Sequence, residues 1–203
     1  RWKERIRDPK VECMSRDEMT ALQSERLVKL VERVYKNVTF YHEKMKALGV
    51  EPGDIKGVED IDKLPFTTKE DLRENYPFGL LAVPKSQVAR VQGTSGTTGK
   101  LTLASYTQSD VDLWGECVAR CLTMAGLTEE DIIHVCYGYG LFTGGNGDID
   151  FGTRKLGAMA NSDVCWKHKE TDDGVWKILE RQQSHVRRPM HFIWQNHFRK
   201  PDL

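Results

Sequence analysis

The sequence predicts an α/β fold with a helical segment in front of it, and three observations carry that prediction. Apolar residues recur at helical spacing through the first eighty residues, between recognisable caps. From Gln87 the pattern changes to strand, loop, strand, helix, strand. The glycine-rich stretches then fall at strand ends, where α/β proteins place their sites. The boundaries read as a helical N-terminal segment over 1–80, a partial α/β domain over 81–160, and a tail over 161–203.

Ser15-Arg16-Asp17-Glu18 is a capping box, with Ser15 accepting from the first turn and Glu18 reaching back. Met19, Leu22, Leu27, Leu30, Val31 and Val34 then mark an apolar stripe. Thr39 is expected to cap a second helix, ended by Gly49 and the Pro52-Gly53 turn. A short helix precedes Leu64-Pro65, and Thr67 with Glu70 is expected to cap another that stops before Pro77. The apolar stripes are core or a homodimer contact made through these helices. Gln87–Val91 and Leu101–Tyr106 read as strands around a loop. A helix follows, capped by Thr107 or Ser109, running through Val111, Trp114, Val118 and Leu122 and ending at Gly126. Ile132–Tyr137 reads as a buried strand and Asp148–Leu156 as a helix.

The loop carries the chemistry. Thr94-Ser95-Gly96-Thr97-Thr98-Gly99-Lys100 places three hydroxyl residues, two glycines and a lysine behind Thr94. The glycines allow a tight turn and close backbone approach to a ligand. Backbone N–H groups in a concave turn, hydroxyl donors and a mobile cation together suit a polyphosphate. The spacing is not that of the common P-loop, which needs Gly five places before the Gly-Lys pair and Ser or Thr after the Lys. Thr94 and Leu101 occupy those places. Without further context a ligand-free Ser/Thr/Gly-rich hairpin loop has the same composition.

With its flanks, Thr94–Lys100 followed by Tyr106-Thr107, this segment resembles the phosphate-binding motif of adenylate-forming ligases. Tyr137-Gly138-Tyr139-Gly140-Leu141-Phe142-Thr143-Gly144-Gly145 is similar to phenylacetate–coenzyme A ligases and their close relatives. So are Leu64-Pro65-Phe66-Thr67-Thr68-Lys69 and Asn75-Tyr76-Pro77-Phe78-Gly79-Leu80. The resemblance runs from about Val11 to Ala160. Thr94 and Gly93 stand where the family more often has Ser and Ala, and Gln92 where it often has His. The resemblance implies the first part of the large α/β subdomain of an adenylate-forming enzyme. It implies ATP, Mg²⁺ and coenzyme A as co-substrates and a small aryl acid as acyl donor. Thr94, Ser95, Gly96, Thr97, Thr98, Gly99 and Lys100 would hold the phosphates, and Tyr137, Phe142 and Gly144 would wall the aryl pocket. An adenylating relative that joins AMP to a deazaflavin coenzyme, or activates another aryl acid, would use the same loop. A non-catalytic fragment is the remaining reading. No residue is assigned a catalytic or metal-ligating role.

After Ala160 the resemblance stops. Residues 161–203 hold three of the five tryptophans and four of the six histidines but one glycine, so this is a different text. Shifting the reading frame at Asn161 permits I-P-M-S-A-G-N-T-K-R-Q-M-M-E, and the third frame from Ile178 permits F-G-A-T-A-V-T-C-T-P-S-Y-A-L-Y-L-A. Both strings resemble what the family carries there. The glycine at Trp166-Lys167 and the alanines at Met190-His191 and Trp194-Gln195 are forced by the code. The tail is therefore expected to be out of frame or disordered, with the chain as written an inactive N-terminal part. An unpaired sheet edge is expected where the next strand is lost. Nothing in the 203 residues matches the family's adenine-binding loop, acidic ribose contact or C-terminal lid.

Thirty basic residues balance thirty acidic ones, so no field for nucleic acid or an anionic membrane is implied. No apolar run approaches a membrane span and no leader pattern opens the chain. The five cysteines form no C-x-x-C pair, which fits a reducing cytoplasm. Cys117 and Cys121, four apart on one helix, are expected to be buried thiols. His134 is expected to be a core histidine, and Arg154 and Lys155 to lie at the surface.

Overall fold

The computed structural model describes residues 5–93, 102–135, 149–162 and 191–193. The chain divides into two compact units, one of residues 8–108 and one of residues 1–7 with 109–203.

The first unit opens with a short helix α1 (Pro9–Glu12), then α2 (Arg16–Asn37) and α3 (Thr39–Ala47). The predicted capping box starts α2: Glu18 N donates to Ser15 Oγ at 3.2 Å and Ser15 N to Glu18 Oε2 at 2.8 Å. Val31, Met45 and Ile55 form the core here, with Leu27, Tyr35, Val50 and Leu64 packed against them. Leu30, placed on the stripe by sequence, is instead half exposed, because its neighbour Val31 takes the buried face. Thr39 does not cap α3 either. It is the first helical residue, and the preceding Val38 provides no side-chain cap. Gly49 ends α3 as predicted, at φ +67°, with Val50 N donating to Met45 O at 3.0 Å. That left-handed turn closes the orphan carbonyls of the last turn.

Helix α4 spans Lys69–Glu74, and its cap is Thr68 with Asp71, one residue later than the Thr67–Glu70 pair expected from sequence. The frame is set by Asp71. Its Oδ2 accepts from Thr68 N at 2.7 Å, Thr68 Oγ1 at 2.9 Å and Lys44 Nζ at 2.7 Å. Two adjacent threonines make both frames legible in sequence, and only the tertiary Lys44 contact chooses. The unit ends in an antiparallel hairpin of β1 (Val88–Gly93) and β2 (Leu103–Thr107).

In the second unit α5 (Gln108–Ala125, its first residue at the boundary) is followed by β3 (Ile132–Val135), α6 (Ile149–Leu156), β4 (Met159–Ser162) and β5 (His191–Ile193). The sheet order is β4-β3-β5, and both pairings are parallel. The hairpin and this sheet are separate sheets rather than one. Strand β3 is paired on both sides, so the expected open edge is not at β3. Leu122, Leu127, Ile133 and Ala158 form the core, with Val118, Ile149 and Leu156 against it. Helix α5 ends at Gly126, φ +100°, with Leu127 N donating to Leu122 O at 3.0 Å. Asp131 is buried and satisfied: its Oδ2 accepts from Thr128 N at 2.7 Å and Thr128 Oγ1 at 3.1 Å.

Cys117 and Cys121 are exposed, not buried. The buried side of α5 is Val111, Gly115, Ala119, Leu122 and Thr123, and the thiols lie off that side. Arg154 and Lys155 are exposed as expected, Arg154 Nε meeting the buried Asp150 Oδ2 at 2.8 Å. No helix among the described residues is long and apolar enough to cross a membrane.

Candidate functional site

The hairpin positions the candidate loop. Register runs from Val88 opposite Thr107 to Gly93 opposite Leu103, with an irregularity between Val88 and Arg90. Pairing of Gly93 with Leu103 anchors both ends of the intervening segment side by side. Thr94, Ser95, Gly96, Thr97, Thr98, Gly99 and Lys100 lie outside the described residues, as do Tyr137, Phe142 and Gly144. What the fold fixes is their bases: the paired ends of β1 and β2, and the interval from Val135 at the end of β3 to Ile149 at the start of α6. His134 is in β3, with its backbone in register with Asn161 and Phe192.

The base of the loop is closed to water. Gln92 is 1% exposed, Gly93 is buried, and Thr102, the residue before β2, is 8% exposed. Neither Nε2 nor Oε1 of Gln92 meets a hydrogen-bond partner among the described residues. Sequence reasoning did not assign Gln92 a role. Its one signal was that it departs from the histidine often found at this place in the resembling family.

A second family-like segment, Leu64–Lys69, is held by Lys44. Its Nζ donates to Phe66 O at 2.9 Å and Asp71 Oδ2 at 2.7 Å, and lies 4.8 Å from the centre of the Phe40 ring. Tyr41 Oη lies 3.2 Å from Thr67 Oγ1. Helix α3 therefore staples this segment in place. The hydrogen bond from Lys44 and then the Thr68 backbone N–H hold the Asp71 carboxyl down at about 2. The ordinary value is about 3.9, so the stabilisation is complete above that and is lost as pH falls from about 4 towards 2. In Asp71→Asn this part of the acid sensitivity is expected to vanish. Urea midpoints at pH 5 and pH 2.5 should lie closer together than in the parent chain, and an unchanged difference would contradict the assignment. Among the described residues no group of three or more His, Cys, Asp or Glu side chains could hold a metal ion.

No family model matches the chain. Curated relatives do. The phenylacetate–coenzyme A ligase of Escherichia coli K12 is 51% identical over 151 residues, which cover 74% of this chain and 34% of that protein. The phenylacetate–coenzyme A ligase of Aromatoleum evansii is 50% identical over 147 residues, covering 72% of this chain and 33% of the relative. That of Thermus thermophilus is 48% identical over 149 residues, covering 73% and 33%. Among solved structures, 2-hydroxyisobutyryl-CoA ligase in complex with 2-HIB-AMP and CoA superposes with a TM-score of 0.78 at 26% identity, over 89% of this chain and 39% of that one. An open conformation of the same ligase gives 0.77 at 25% identity, over 88% and 42%. The fold is thus that of the adenylate-forming coenzyme A ligases over part of their length. The chain spans about a third of the curated relatives it matches. It belongs to the phenylacetate–coenzyme A ligase family.

Proposed function

We propose that residues 1–160 are the phosphate-binding part of an ATP-dependent aryl-acid coenzyme A ligase, and that residues 161–203 contribute nothing to its site. The observation that carries this reading is the hairpin. A segment of glycines, hydroxyls and one lysine leaves and re-enters a paired strand end, in a chain about half identical to phenylacetate–coenzyme A ligases over three-quarters of its length.

In the proposed reaction the acid's carboxylate oxygen attacks the α-phosphorus of ATP. Pyrophosphate leaves and an acyl-adenylate forms. The coenzyme A thiol then attacks the acyl carbon, its proton passes to solvent, and AMP departs. Ser95, Thr97, Thr98 and Lys100 would hold the β- and γ-phosphates, orienting the α-phosphorus and neutralising the leaving group. Mg²⁺ would enter with the triphosphate. The hydroxyl oxygens of Thr94–Thr98 are hard donors of the kind it accepts. Tyr137 and Phe142 would offer aromatic walls to the acid, with Gly144 leaving room for a flat ring. A cytoplasmic setting fits the charge balance and the cysteine pattern.

The test is a chimera in which residues 1–160 replace the matched part of the Escherichia coli relative. Phenylacetate-dependent pyrophosphate exchange is expected. Thr97→Ala with Thr98→Ala should lower it at least about tenfold, since hydrogen bonds to charged groups are worth roughly 1.5–3 kcal/mol each. A folded chimera without exchange, or exchange indifferent to the double substitution, would overturn the proposal.

A further inference from the structure

We propose that Cys117, Cys121 and Met124 form a surface site for a soft, thiophilic ion, copper(I), held by two thiolates and one thioether. The site is independent of the phosphate-loop reading. It lies on the outward face of α5. From Leu113 to Met124 the exposed positions are Leu113, Cys117, Cys121 and Met124, and no others. Val111, Gly115, Ala119, Leu122 and Thr123 take the buried side. A helix packed on one side ordinarily turns charged or polar residues to water. Here Glu116 and Arg120 are half-buried and engage each other, with Arg120 Nε 3.3 Å from Glu116 Oε1. The chain has five cysteines and six methionines in 203 residues, so composition alone does not place three of them on one exposed face.

Spacing makes the three sulfurs one set. They stand at i, i+4 and i+7, where successive Cβ atoms are about 5–6 Å apart. Each Cα–Cβ bond of a helix tilts toward its N-terminus, so Met124 leans over Cys121 and Cys121 over Cys117. Beyond Met124 the helix is closed by Leu127 N donating to Leu122 O at 3.0 Å, which keeps Met124 in register. Thiolate and thioether sulfur together select copper(I) among first-row ions. Structural zinc takes four donors, and the described residues offer no cluster of three or more His, Cys, Asp or Glu. An ion satisfied by two thiolates and a weaker third donor has no such requirement. On binding, both thiols release their protons to solvent, and the copper stays copper(I) throughout.

The test uses the full 203-residue chain carrying Cys13→Ser, Cys136→Ser and Cys165→Ser, reduced and kept from air. A copper(I) acetonitrile salt is titrated in against a chromophoric copper(I) chelator. One copper(I) per chain should be retained. Cys117→Ser and Cys121→Ser should each weaken binding at least about a hundredfold, and Met124→Leu about tenfold. Leu113→Ala, on the same face but without sulfur, should change nothing. All four positions are exposed, so thermal midpoints without copper should stay with the parent. The rise in midpoint with copper(I) should be lost in the two cysteine variants. If the triple-serine background does not fold, the same substitutions in the unaltered chain should each remove one equivalent of bound copper(I). Retention indifferent to Cys117→Ser, Cys121→Ser or Met124→Leu would overturn the proposal. So would displacement of the copper by an equal concentration of zinc(II), or binding that appears only as two chains become linked.

Discussion

Gly152→Val is expected to lower the thermal midpoint of the chain by about 10–20 °C. A Cβ at position 152 would lie 2.2 Å from Val118 Cγ1, 2.6 Å from Val118 Cβ and 3.1 Å from the Val118 carbonyl carbon. The first two contacts belong to a short, stiff side chain on α5, and the third is backbone, so no flexible group can yield. Gly115 faces the same junction: a Cβ there would stand 3.3 Å from Phe151 O. The two glycines let α5 and α6 approach closely. Valine adds two methyl groups beyond the clashing Cβ, which puts the cost near the top of the over-packing range, about 3 kcal/mol. For a unit of this size each kcal/mol moves the midpoint by about 4–8 °C. Alanine is the sharper comparison. It brings about 1 kcal/mol of helix propensity over glycine, so only a real clash makes Gly152→Ala destabilising. Gly53→Ala is the control, because nothing lies within 4 Å of its added Cβ and its backbone is not left-handed. It should change stability by less than about 0.5 kcal/mol. A Gly152→Val chain that melts with the parent would show that the helices do not meet as described.

What sequence reasoning found, and what it missed, follows from the range of the interactions involved. The Ser15 capping box and the glycine stops at Gly49 and Gly126 are local, and each appears where the sequence placed it. The cap of α4 slipped by one residue because Thr67 and Thr68 are equivalent locally. Lys44, more than twenty residues away, decides for Thr68 and Asp71. Thr39 carries the side chain of a capping residue yet lies inside α3, so hydroxyl chemistry alone does not fix a helix start. Burial of Cys117 and Cys121 was misjudged because cysteine's usual preference for the interior says nothing about which side of a helix faces the core. Gly115 and Ala119 take that side of α5, where close approach favours small residues. The reading of Thr94–Lys100 as a phosphate loop rests on residue type and resemblance, and those residues lie outside the described ones. The burial of Gln92 was not legible in the sequence, since exposure depends on what the fold brings over a side chain.

The 203-residue chain, incubated with ATP, Mg²⁺ and phenylacetate, is expected to release no pyrophosphate and form no acyl-adenylate. Its matched residues correspond to about a third of relatives that bear the whole name of the activity. On the reading proposed above, the segment between β1 and β2 would grip a triphosphate through charge and donors, and that grip alone would lower no barrier. Adenylation needs the carboxylate held in line with the α-phosphorus, which is where most of the proximity contribution arises. It also needs water kept from the acyl-adenylate, which an open site does not do. About two thirds of the length of those relatives is not matched by this chain, and on the sequence resemblance the adenine, ribose and lid residues are expected to lie there. Residues 191–193 of the tail do pair with β3. Three residues of backbone pairing add one strand to the sheet. ATP binding should therefore be weak and should weaken further with salt, as expected for contacts dominated by exposed charge. Pyrophosphate release at an ordinary enzymatic rate, about 1 s⁻¹ or faster, would show that residues 161–203 complete a working site and that the out-of-frame reading of the tail is wrong.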